Sequence, residues 1–398
     1  MIRVCHIITK LELGGAQQNT LYTVKHLNRS QFRPLLITSP EGILVHEAEQ
    51  YDDVKTYFVP SLRREIHPYH DVKALQCIQR ILEEELQKSP HIPLIVHTHS
   101  SKAGIIGRWA AKRAGLSHII HSIHGFGFHR DQPLLKRRIF ILLERMTAKI
   151  TSHFIAVSSA NIRTGMQHKL FNRSQISLIR SGIDIAQFQR YSKEVLPNFT
   201  QWRDGKKQEL HVPPGSPVVG IIACFKPQKA LIDFVRVIKH VTSSIPHVHA
   251  MMVGDGILRP HIERCIAENH LEQQVSLLGW REDVAELLPL FDVFVLTSHW
   301  EGLPRVCPQA MAVGLPIVAT NVDGIPEAVL DGLNGYVRKP GDILGLAEKI
   351  TYLLQHPALA REMGRQGRQR VVEFDVHRMM HQQEALYHSL IHSTKVAS

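Results

Sequence analysis

Short apolar, β-branched runs alternate with amphipathic stretches along most of the 398-residue chain. In the first half the runs Val4–Thr9, Leu35–Thr38, Leu94–His97, Ile119–Ile123, Phe154–Val157 and Ile176–Ile179 read as strands. Between them Ala16–Leu27, Val72–Gln87 and Ala103–Ala114 repeat their apolar positions with helical period. Such alternation argues for a parallel sheet with helices on both faces. The rhythm lapses from Tyr191 to Pro217, where Pro197, Asn198, Asp204-Gly205 and Pro213-Pro214-Gly215 punctuate without periodicity. It resumes with Val218–Cys224, His249–Val253, Val275–Leu278, Val293–Thr297 and Ile317–Thr320. The pattern predicts an α/β chain of two Rossmann-like, doubly wound domains, residues 1–195 and 216–375, joined by a linker at 196–215. Ligand sites are expected at the carboxyl ends of the strands, opening into a cleft between the domains. The last stretch, Val376 to about His392, is helical in pattern, and its spacing does not assign it to either domain.

Composition excludes several classes. The chain is 44% hydrophobic and 21% charged, and no run reaches the roughly eighteen uncharged apolar residues of a membrane-spanning helix. Its first ten residues are too short and interrupted for a signal peptide and read as a first buried strand. The five cysteines, Cys5, Cys77, Cys224, Cys265 and Cys307, are scattered and form no CxxC pair. That argues against a disulfide framework or zinc site and for a cytoplasmic protein. Charge is strongly one-sided. Residues 1–190 hold 26 Lys and Arg against 14 Asp and Glu, whereas the remainder holds 21 against 22. The basic half calls for an anionic partner: a phosphate-bearing substrate, an acidic membrane surface or nucleic acid. Nucleic acid fits poorly, because the basic residues are not interleaved with stacking aromatics.

Several strand ends carry candidate chemistry. Gly14-Gly15 opens the first helix, where backbone can approach a ligand and free amides face an anion, without the spacing of a dinucleotide fingerprint. His97, His99, His118 and His121 read as polar strand ends facing a cleft; His-x-His could ligate a metal, but no third ligand is evident. His124, at a strand end before Gly125-Phe126-Gly127, is placed to donate to a hydroxyl or phosphate. Lys226 and Lys229 flank Pro227-Gln228 after the first strand of the second half and suit a departing diphosphate. Gly254 and Gly279 end later strands and could bring backbone amides to a ligand. Glu301-Gly302-Leu303-Pro304 sets a carboxylate, able to accept from sugar hydroxyls, before a helix start that would face a phosphate.

Together these segments resemble the GT-B glycosyltransferases of the retaining family 4. The resemblance rests on Gly14-Gly15-Ala16-Gln17, His124-Gly125, Arg180-Ser181-Gly182-Ile183-Asp184, Lys229, Gly254-Asp255-Gly256, Glu301-Gly302-Leu303-Pro304 and Gly314 to Thr320. It implies an acceptor-binding first domain, a donor-binding second domain, and a final helix, 376–398, returning to the first. It further implies that Lys229 contacts the donor diphosphate, Glu301 the transferred sugar and Gly14-Gly15 the donor phosphates, with His124 at the reaction centre. The substrates are then a nucleotide-diphosphate sugar and a saccharide or lipid-linked acceptor, with no cofactor and no metal; no Asp-x-Asp motif is present. Two positions depart from the pattern. Cys224 stands where the family often has arginine, a charge that Lys226 is placed to replace. Gln309 stands where a second glutamate often binds the ribose. An epimerase on the same architecture and a non-catalytic sugar-nucleotide-binding protein are the competing readings.

One helix-like stretch after Pro133 bears on the acceptor. Leu135, Ile139, Leu142, Leu143 and Met146 recur at helical spacing, with Lys136, Arg137, Arg138 and Arg145 largely off that face. The stripe either docks on its own sheet or lets the basic half rest on an anionic membrane, at the inner face of the plasma membrane.

Overall fold

The computed structural model describes residues 1–129 and 132–395. Its strands are β1 (Ile2–Ile7), β2 (Phe32–Thr38), β3 (Lys55–Phe58), β4 (Leu94–His99), β5 (Ile119–Ile123), β6 (His153–Ala156), β7 (Ile176–Leu178), β8 (Val218–Ile222), β9 (His249–Val253), β10 (Val275–Leu277), β11 (Val293–Leu296), β12 (Ile317–Thr320) and β13 (Gly335–Arg338). They form two parallel sheets, ordered β3-β2-β1-β4-β5-β6-β7 and β10-β9-β8-β11-β12-β13. The expected doubly wound α/β architecture is therefore present twice. All positions of β1, β4, β9 and β12 are buried. A parallel strand covered by helices on both faces needs apolar residues on both, which is why these segments read as continuous runs. Strand order reverses between β1 and β4 and between β8 and β11, so the loops leaving those strands diverge and leave room for a ligand.

The chain divides into two compact units, Met1–Ser181 with the segment from His377 onward, and Gly182–Val376. The division thus falls upstream of the 196–215 stretch expected to link the domains. That stretch carries a helix, Phe199–Glu209, belonging to the second unit. The helix buries none of its residues and is held instead by Arg203, which donates to Pro289 O at 3.0 Å and Leu290 O at 2.9 Å and pairs with Asp292 at 2.8 Å. A helix docked through a guanidinium has no apolar stripe to reveal it. Within the same unit Ile183 pairs with Asp375 as an isolated bridge. The final helix, Val376–Lys395, is tied into the first unit by buried Tyr387, whose hydroxyl lies 2.7 Å from His97 Nδ1, and by Glu384, which accepts from Asn28 N at 2.9 Å.

The helix Leu134–Ala148 is docked opposite to the expectation that its apolar stripe faces its own sheet. Glu144, Thr147 and Ala148 are its buried residues, while Leu135 is 73% and Leu142 56% exposed, with Ile139, Leu143 and Met146 also exposed. Its inner face is polar. Arg108, fully buried on the helix Ser101–Arg113, pairs with Glu144 at 2.8 Å and also donates to Gly104 O at 2.8 Å and Thr151 Oγ1 at 3.2 Å. Trp109 Nε1 donates to Thr147 Oγ1 at 3.1 Å. Removing one partner of a buried ion pair strands the other charge, so Glu144→Leu should cost about 3–5 kcal/mol in urea unfolding. Adding Arg108→Met should recover most of that loss. A Glu144→Leu protein as stable as its parent would show that the pair does not hold the helix.

Candidate active site

In the second unit the site is built where β8 and β11 part. After β8 the chain makes a short 3₁₀ turn, Pro227–Lys229, and Ala230 then adopts a left-handed conformation with φ +47° before the helix Leu231–Ser244. That conformation is unfavourable for a residue with a Cβ, and surrounding contacts hold it. Thr297, just past β11, donates to Lys229 O at 2.9 Å and Ala230 O at 3.1 Å, and His299 N donates to Gln228 O at 2.8 Å. The two strand exits are thereby clamped together, and Lys229 Nζ sits 2.5 Å from Glu301 Oε1.

Glu301 is 7% exposed. A carboxylate so removed from water stays ionised only where charge and hydrogen bonds replace its hydration. Lys229 supplies the charge, Ser298 Oγ donates at 2.6 Å and Gln228 Nε2 at 3.5 Å. Its backbone is fixed as well, since Glu301 N donates to Asp323 Oδ2 at 2.7 Å. Ser298, Gln228 and Asp323 are hydrogen-bond partners of Glu301 that the sequence pattern does not single out. Gln228 and Ser298 adjoin recognised motifs, whereas Asp323 reaches the site from beyond β12 and only the sheet order brings it there.

The remaining second-unit candidates lie at the exits of β8, β9, β10 and β11 and on the helix that follows β11. Gly254 pairs with Gly279 in an isolated bridge, N to O at 2.8 Å. A Cβ on Gly254, at φ +128°, would stand 2.0 Å from Ala223 O, so the glycine lets the β9 exit lie against the β8 exit. Gly302 and Leu303 are buried, and Gln309 is buried on the helix Val306–Ala312. Lys226 is half-buried at the start of the 3₁₀ turn. Arg305, before that helix, donates to Gly182 O at 3.0 Å, and burial pushes its guanidinium down to about 10.

In the first unit, Gly14 is the extended residue before the helix Gly15–His26, and Gly15 is exposed there. His124 is half-buried just past β5. His97, His99 and His121, expected as polar strand ends facing a cleft, are all buried, and burial lowers their pKa values well below the ordinary histidine range. The third imidazole absent from the local spacing is His6, paired in register with His97 across β1 and β4. Ligand atoms of His6, His97 and His99 all lie within 4.8 Å of one another. Hydrogen bonds account for those nitrogens in part. His97 Nδ1 and Nε2 meet Tyr387 Oη and Ser122 Oγ at 2.7 Å each, and His6 Nδ1 meets His99 Nε2 at 3.0 Å. Lys136 and Arg138 are exposed and Arg137 half-buried on the outward helix.

Comparison with known proteins identifies the family and the fold. The family described as Glycosyltransferase Family 4 matches residues 13–187, and Glycosyl transferases group 1 matches residues 216–356. The UDP-Gal:alpha-D-GlcNAc-diphosphoundecaprenol alpha-1,3-galactosyltransferase of Escherichia coli is 30% identical over 345 residues, covering 86% of this chain and 85% of that protein. The capsular polysaccharide biosynthesis glycosyltransferase CapM of Staphylococcus aureus is 24% identical over 372 residues, covering 89% and 90%. Among solved structures, HepE of Anabaena in complex with UDP and glucose superposes with a TM-score of 0.82 at 20% identity, covering 98% of this chain and 100% of that one. Sucrose-phosphate synthase of Thermosynechococcus elongatus gives 0.83 at 20% identity, covering 99% and 100%. The structural likenesses show the GT-B fold, and identity carried across most of both chains shows the rest: the chain is a glycosyltransferase and belongs to the GT-B family 4 enzymes.

Proposed function

We propose that this enzyme moves a hexose from a uridine-diphosphate sugar onto a polyprenyl-diphosphate-linked saccharide, in polysaccharide or glycolipid assembly at an anionic membrane surface. The observation that carries the donor half is the Lys229–Glu301 pair at the β8/β11 exit. Lys229, with Lys226 beside it, supplies the positive charge that a departing diphosphate needs, the part that a metal ion plays elsewhere. Glu301, already oriented by Ser298 and Gln228, accepts hydrogen bonds from the sugar hydroxyls. Family membership supports retention of anomeric configuration, with the acceptor oxygen arriving on the face from which the diphosphate leaves. His124 donates near the reacting centre, Gly14 and Gly15 lie against donor phosphates, and Gln309 hydrogen-bonds the ribose without charge. The uridine donor and the lipid-linked acceptor are supported by the 30% identical E. coli relative, whose name specifies both.

The membrane half is supported by the outward helix. Six large apolar residues from Leu134 to Met146 are exposed beside Lys136, Arg137 and Arg138, in a half of the chain with 26 basic against 14 acidic residues. An apolar face flanked by cations fits an anionic interface, where each Lys or Arg contributes about 1 kcal/mol. No helix among the described residues is long and apolar enough to cross a membrane.

Three outcomes follow. Glu301→Gln should fold and lower acceptor-dependent UDP release by about a hundredfold or more, as expected for a lost electrostatic contact to the transition state; near-normal turnover would remove Glu301 from the mechanism. UDP release without acceptor-bound sugar would instead indicate a hydrolase, and conversion of the UDP-sugar to its epimer without UDP release an epimerase. Gln309→Glu should preserve or tighten UDP binding in calorimetry, and a clear loss would show that the glutamine amide is used as a donor. Sedimentation with anionic vesicles should be strong at low salt, weak at high salt, and reduced by replacing Lys136, Arg137 and Arg138 with alanine. Equal binding to neutral vesicles, or none to either, would leave a soluble acceptor as the better account.

A further inference from the structure

Three histidines of the first unit form a chain from its core to the end of β5. His6 Nδ1 lies 3.0 Å from His99 Nε2, and His99 Nδ1 lies 3.2 Å from His124 Nε2. The His6 and His99 rings are stacked with an interplanar angle of 11°. Burial holds His6 down at about 3 and His99 well below the ordinary range, so both inner rings are neutral at physiological pH. A neutral imidazole carries one N–H and one bare nitrogen, and each link needs one of each.

With His124 neutral as well, two proton arrangements satisfy both links. In one, every N–H points toward His6; His124 donates from Nε2, and His6 Nε2 carries a proton. In the other, every N–H points toward His124; His6 Nε2 is bare, and the His124 proton sits on Nδ1. His6 Nε2 is buried and has no hydrogen-bond partner. A buried N–H without an acceptor is the rarer and costlier orphan, so the second arrangement is favoured. We propose that His6 and His99 are positioning residues that fix His124 as its Nδ1-protonated tautomer. Nδ1 of the half-buried imidazole past β5 is then a donor, not a lone pair. The consequence for catalysis rests on the role given to His124 above; the tautomer itself does not.

The competing use of the same core is a metal site made by His6, His97 and His99. His97 stands outside the chain, with both nitrogens engaged by Tyr387 and Ser122, and the His6–His99 contact has the length of an ordinary hydrogen bond.

The test reads tautomers directly in the full chain labelled with nitrogen-15 histidine, by two-bond proton–nitrogen correlation at neutral pH without ligand. His124 is identified as the ring whose signals vanish in His124→Gln. Protonation of His124 at Nδ1 is expected, with loss of that preference in His99→Phe and its return in His99→Asn, whose amide nitrogen stands where His99 Nδ1 stands. His6→Asn should likewise keep it. A His124 ring protonated at Nε2 in the parent, or unaltered in His99→Phe, overturns the proposal. One equivalent of zinc chloride that shifts His6, His97 and His99 together overturns it in favour of a metal site, and no shift supports it. Because no step uses sugar transfer, a protein inactive with UDP-sugars still reports its tautomer, and the two readings fail separately.

Discussion

The geometry of the second unit depends on a carboxylate held out of water by a lysine from a different strand exit. Glu301 follows β11 and Lys229 follows β8, neighbours in the sheet although 72 positions separate them in sequence. Their contact forces the two loops together at the switch point, and the smaller features of the region serve that approach. Thr297 grips the carbonyls of Lys229 and Ala230, and Ala230 accepts a left-handed backbone.

The first unit turns ordinary amphipathic logic around in two places. On the helix Leu134–Ala148 the interior contact is an ion pair and a Trp–Thr hydrogen bond, and the leucines face outward. At the ends of β1 and β4 the interior is filled with imidazoles instead of aliphatic side chains. Each arrangement costs hydrophobic burial and is tolerable only because its polar groups find partners. Features that spend stability in this way mark surfaces and clusters used for something other than folding.

Much of the fold was legible because parallel strands buried on both faces leave unbroken apolar runs; His249–Val253 and Ile317–Thr320 coincide with β9 and β12. The edge strands Lys55–Phe58 and Gly335–Arg338 escaped, being four residues long and only half-buried over most of their length. Between 196 and 215 the Pro and Gly punctuation surrounds a helix that docks through Arg203 and so leaves no apolar stripe in the sequence. At the site, Lys229 and Glu301 were visible as motif residues, since charge at strand ends has few structural uses. Ser298 and Asp323 were not, since their importance comes from contacts with Glu301 that only the folded sheet creates. His6 shows the same limit: it is one strand away from His97 in space and 91 positions away in sequence.

The central claim is that Lys229 is shared between Glu301 and the donor diphosphate, and calorimetric titration of UDP tests it by sign. In the free enzyme Glu301 competes for the lysine and repels the incoming phosphates. Glu301→Gln should therefore bind UDP as tightly as the parent or more tightly, while Lys229→Ala should lose about 1–3 kcal/mol, the cost of a missing charged hydrogen bond. Equal losses in both variants, or unchanged affinity in Lys229→Ala, would contradict the account.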